Sequence, residues 1–175
     1  VGFSKIDVLF GRRSEAQVRH RYSNLRGENF RFVQADIQAI DTDAQSVATS
    51  AGTFAYDYLV VALGADLDHD ATPGYRESGA HEFYSMAGVV RLKPVIDAFS
   101  SGTLMIGVLG TPYKCPPAPY EVACQLHERF SERGVRDAIT LKMVIPSPRP
   151  VPNPGVSDAL EKLLKTILRD PAEKV

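Results

Sequence analysis

The sequence predicts an α/β protein whose two halves differ in character. β-Forming residues crowd the stretch from Asn29 to Ala62, and helical and strand-like patterns alternate from about Ser85 onward. Between them "DHDATPGYRESGA", residues 68–80, is polar and turn-rich and reads as a crossing between domains. The expected division is therefore 1–66 and 80–175.

In the first half, "FRFVQADIQAI" and "SVATSAGTFAYDYLVVALG" suggest a meander, with turn signals at residues 41–45 and 51–52. "YLVVAL" is a continuous apolar run, the pattern of a central strand covered on both faces. In the second half a helix is expected over about 85–99, with Leu92, Val95, Ile96 and Phe99 on one face. A strand over 103–109, a helix to about Arg133, a strand over 139–145 and a helix over about 156–168 follow. That alternation argues for a parallel sheet with crossover helices. "PSPRPVPNP" is a local proline-rich connection.

Composition excludes several function classes. With 44% hydrophobic and 23% charged residues over 175 positions, the chain has the makings of an ordinary globular core. A formal charge of -1 and a pI near 6.5 give no electrostatic footprint for nucleic acid or an anionic membrane. Cys115 and Cys124 are too few for a disulfide framework and are not spaced as a zinc ribbon, so a reducing, cytoplasmic setting and no metal are expected. No apolar run approaches the roughly 18 to 20 residues that a bilayer requires, and no signal peptide is read, so a soluble or peripheral location is expected.

The chemistry concentrates in "MIGVLGTPYKCPPAPYE", which has the strand–loop–helix layout that usually holds a dinucleotide phosphate. Gly107 and Gly110 are present, yet prolines stand at 112, 116, 117 and 119. Each removes an N–H that an anion would need, so a nucleotide phosphate fits poorly. Cys115 lies just before the helix, where the helix terminus and Lys114 favour a thiolate while Glu121 partly opposes it. An inert loop cysteine is the alternative reading. Cys124, beside Val122, Ala123 and Leu126, reads as core. Gly64, ending the "YLVVAL" run, permits either a turn or a close backbone approach to a ligand.

The elements "PYKCPPAPYE", "YDYLVVALGA", "PGYRESGAHEFYS" and "GVRD" together resemble one branch of the FAD-dependent pyridine nucleotide-disulfide oxidoreductases. That branch contains the sulfide:quinone oxidoreductases and flavocytochrome c sulfide dehydrogenases. The likeness runs over nearly the whole chain, and the cysteine-proline-proline element is its most specific part. It implies two Rossmann-like domains, an incomplete FAD domain followed by a second dinucleotide-like domain, and hence an internal piece of a larger flavoprotein. It further implies that Cys115 is one of a redox pair beside FAD, assisted by Lys114, that sulfide or a small thiol is the electron donor, and that a quinone or haem partner is the acceptor. "VQAD" resembles the segment along the FAD adenine, which assigns Val33 and Ala35 to the cofactor. Ala62 and Gly64 match the strand end near its ADP half. Cys124 is a poor partner for Cys115, although a disulfide between them stays open. An NAD(P)H-dependent flavin reductase of the same superfamily and a catalytically silent module remain alternatives. An exposed apolar edge would favour a homo-oligomer.

Overall fold

A computed structural model of the chain describes residues 4–25, 27–168 and 173–174. It falls into two compact units: residues up to Val18 join those from Leu67 onward, and Arg19–Asp66 form the other. The first 18 residues thus pack with the later half of the chain.

The larger unit opens with two short helices, α1 (Ser4–Leu9) and α2 (Glu15–Val18), whose Ile6, Val8, Leu9 and Val18 enter the core. The smaller unit is an antiparallel meander of β1 (Ile37–Asp41), β2 (Ser46–Thr49) and β3 (Gly52–Ala55), in that order. Asp41 Oδ1 accepts the N–H groups of Asp43 and Ala44 and so closes the first hairpin. The pairing starts at Ile37; residues 30–36 are irregular, joined to the meander through Asp36 and Ser50.

Here the expectation for "YLVVAL" is corrected. Residues 58–64 form no strand, and Tyr58, Val60, Val61 and Leu63 are 94, 85, 63 and 75% exposed. A central strand needs a neighbour on each edge and a cover on each face. The meander ends at β3, and among the described residues no strand pairs with this run.

The larger unit continues with α3 (Met86–Ala98), β4 (Gly102–Gly107), α4 (Ala118–Glu132), β5 (Ile139–Ile145), α5 (Pro154–Ile167) and β6 (Glu173–Lys174). Strands β4, β5 and β6 pair in parallel in that order, with α4 as the crossover from β4 to β5. Every second residue of β5, from Ile139 through Leu141 and Met143 to Ile145, is buried. Helix α4 meets the core through Tyr120, Val122, Ala123, Leu126 and Phe130, a stripe at helical spacing. On α3 the buried positions are Met86, Gly88, Val89 and Ile96; Val95, expected to share that face, is 42% exposed. It lies one residue, about 100° of helix, from Ile96.

The helix ends follow from sequence. Ser85 Oγ accepts the Gly88 N–H at 2.8 Å, and Glu82 accepts the N–H groups of Tyr84 and Ser85 at 2.7 and 2.8 Å. A Cβ on Gly88 would strike both the Glu82 carboxylate and its backbone carbonyl, so glycine is required at this cap. Helix α4 closes on Gly134, at φ 69°, with Val135 N–H on the Phe130 carbonyl and Gly134 N–H on that of Ser131. Asn153 caps α5 by accepting the Val156 N–H. Buried Tyr120 donates its hydroxyl to the Pro150 carbonyl at 2.8 Å, tying the proline-rich connection to α4.

Candidate functional site around Cys115

The loop between β4 and α4 carries the cysteine-proline-proline element. Cys115 adopts φ 55°, a left-handed conformation uncommon for a residue with a side chain, and its carbonyl accepts the Ala118 N–H at 3.0 Å. Pro117 is the N-cap of α4 and offers no side-chain cap. Prolines 116, 117 and 119 have no N–H, the Ala118 amide is taken by Cys115, and the Glu121 amide bonds the Pro117 carbonyl. This helix end therefore has few amides left to present to an anion.

Cys115 is half-buried at the wall of a largely apolar pocket of about 200 Å³. Lys114 and Ala118 flank it, α1 contributes Lys5 and Ile6, and the segment before α3 contributes Phe83 and Tyr84. The Lys5 ammonium donates to the Tyr84 carbonyl at 2.5 Å. Burial lowers the Lys5 pKa, and the Lys114 charge lowers it further, against the opposing influence of Glu82 and Cys115. The Tyr84 hydroxyl is pushed up to about 12 by burial, then by Cys115 and Tyr113. Two cationic side chains and one thiol thus face an apolar hollow, an arrangement suited to a small ligand with negative charge.

The two cysteines differ in surroundings. Cys124 packs against the core from α4, and burial, followed by the Glu121 charge, raises its thiol pKa. Both thiols are free. The other expected site residues lie in the meander unit: Val33 and Ala35 are half-buried, while Ala62 and Gly64 are exposed. Gly64 has φ 77°, and nothing lies within 4 Å of where its Cβ would stand. Among the described residues no cluster of His, Cys, Asp and Glu could hold a metal, and no helix is long and apolar enough to cross a membrane.

Lys5 and Tyr84 were not legible as site residues. Position 5 is 110 residues from Cys115, and only tertiary packing brings the two to one pocket.

The chain shows distant homology, over part of each relative, to sulfide:quinone oxidoreductases and NADH dehydrogenase-like proteins. No family model matches it. The mitochondrial sulfide:quinone oxidoreductase of Mus musculus is 26% identical over 110 residues, 60% of this chain and 24% of that protein. An NADH dehydrogenase-like protein of Mycobacterium tuberculosis is 32% identical over 119 residues, 65% of this chain and 29% of that one. The X-ray structure of the sulfide:quinone oxidoreductase from Aquifex aeolicus superimposes with a TM-score of 0.77 at 21% identity, covering 98% of this chain and 41% of that chain. At that identity the likeness speaks for the fold. The chain spans about a quarter of the length of the curated relatives it matches.

Proposed function

We propose that this chain is part of a flavin-dependent oxidoreductase that takes electrons from sulfide or a small thiol through Cys115 and passes them to a quinone. The observation that carries this reading is the placement of Cys115, a strained, half-buried thiol at a pocket wall with Lys5 and Lys114 beside it. The sulfide:quinone relatives and the likeness of fold support it. FAD, when bound, would supply the two-electron acceptor. Val33, Ala35, Ala62 and Gly64 would hold it, in a partial FAD domain followed by a second Rossmann-like domain from about residue 80.

The chain's own part is sulfur chemistry. A thiolate is the reacting form of a cysteine. Lys114 and Lys5 line the pocket beside it, and Ile6, Phe83 and Ala118 form the apolar part of its wall. Proline on both sides of the loop fixes the backbone and hence the position of the thiol.

Inorganic polysulfide tests this reading without an added oxidant. The Cys115 thiolate attacks a terminal sulfur, its S–S bond breaks, the shortened polysulfide leaves with the electron pair, and Cys115 carries one extra sulfur. Mass spectrometry is expected to find that increment on Cys115 well before Cys124. Equal modification of both, or of neither, would sink the proposal.

A second reading, an NAD(P)H-dependent flavin reductase, is favoured by the 32% identical NADH dehydrogenase-like relative. Against it stand four prolines and an occupied Ala118 amide where phosphate donors are needed, each lost charge-assisted bond costing about 1.5–3 kcal/mol. Calorimetry with NADH should show no saturation tighter than about 1 mM; a Kd near 1 μM would favour this second reading instead.

A further inference from the structure

We propose that Lys5 is a positioning residue of the Cys115 site, holding small sulfur ligands in their anionic form against the thiol. The inference rests on Cys115 being the reacting sulfur. Its own basis is the location of Lys5, which comes from a different part of the chain and lines the same pocket of about 200 Å³. An ammonium has three donors, and the bond to the Tyr84 carbonyl fixes it at the wall rather than letting it swing into solvent. Its lowered pKa reflects a partly desolvated cation, the condition under which a charge acts most strongly on a neighbour. Glu82 is the opposing charge nearby, but its carboxylate already accepts the N–H groups of Tyr84 and Ser85 at the start of α3. The remaining lining, Ile6, Phe83 and Ala118, offers an anion no competing solvation. Lys5 and Lys114 together therefore make the pocket selective for charge sign, and a hydrosulfide or a thiol bearing a carboxylate suits it better than a neutral thiol of equal size.

The test compares two alkylating reagents of similar size and opposite charge character, iodoacetate and iodoacetamide, on the Cys124→Ala protein, whose single thiol is Cys115. In both reactions the thiolate sulfur bonds the methylene carbon, the C–I bond breaks, and iodide leaves with the electron pair. The iodoacetate-to-iodoacetamide rate ratio is expected to fall about three- to tenfold in Lys5→Gln and to survive in Lys5→Arg. In the unsubstituted Lys5 protein it should also decline as salt rises from about 0.05 to 0.5 M. A structural role confined to the Tyr84 carbonyl would slow both reagents alike, and that parallel loss, or an unchanged ratio, overturns the inference. Should Lys5→Gln fail to fold, the salt series still decides, because a ratio indifferent to salt overturns it as well. A Cys115 inert to both reagents removes the underlying reading and this inference with it, a result distinct from a reactive thiol with no charge preference.

Discussion

Strands β5 and β2 are both central in three-stranded sheets and both rich in β-formers, yet their fates differ. Strand β5 buries Ile139, Leu141, Met143 and Ile145 to 4% exposure or less, because α4 and α5 bring Phe130, Leu126 and Leu164 into the same core. Strand β2 is half-buried throughout, and its neighbours leave Ile37 and Ile40 at 50 and 40% exposure. Among the described residues no position between 19 and 85 is buried. A β-ladder satisfies backbone polarity in either case, but only a covering layer removes apolar area from water. The parallel unit therefore has a core of its own, and the meander has hydrogen bonds and surface contacts such as Arg31 over the Phe54 ring.

The largest effect that could break this contrast is a matched pair of truncations. Phe130→Ala removes a fully buried ring tilted against Phe99 at 6.0 Å and should cost about 3–5 kcal/mol in urea unfolding. Phe54→Ala, at a half-buried ring under Arg31, should cost about 1 kcal/mol or less. Comparable losses would show that the meander has more core than its exposure suggests. Next in size, Gly88→Ala forces a methyl onto Glu82 and should cost about 1–3 kcal/mol. Adding Glu82→Ala should recover part of that loss, since the two sites share one cap; strict additivity in the urea midpoints would refute the steric account.

The smallest expected effect concerns pH. His127 Nδ1 accepts from Arg136 Nε at 2.9 Å, and Arg136 also donates to the Ile139 carbonyl, binding α4 to the start of β5. Burial, then the Arg136 charge, lowers the His127 pKa below its ordinary 6.5. The unfolded chain therefore takes the proton more readily, so the contribution of the neutral ring is intact above about 6.5 and is lost as pH falls through the lowered value. Unfolding midpoints measured from neutral to mildly acidic pH should decline in the parent protein. They should decline less steeply in His127→Gln, which keeps an acceptor and does not titrate; identical slopes would remove His127 from the account.

What could be read in advance follows the same contrast. Alternation in "ITLKMVI" marked β5 at 139–145 because a covered strand writes its burial into the sequence at period 2. Part of α4 was legible too, since Val122, Ala123 and Leu126 around Cys124 read as core. "YLVVAL" misled because a continuous apolar run states only that a segment can be buried, and the neighbours that would bury it are a matter of pairing. At the site, Cys115 and Lys114 were visible as adjacent residues before a proline-started helix. Lys5 left no trace, since nothing in a short helix near position 5 refers to a loop 110 residues away.

The left-handed backbone at Cys115 sets local stability against the identity of the side chain. An L-residue at φ 55° gives up about 1–2 kcal/mol that glycine would not. A variant library sorted only for heat tolerance should therefore enrich glycine at 115, and with it lose the thiol on which the proposed sulfur chemistry depends.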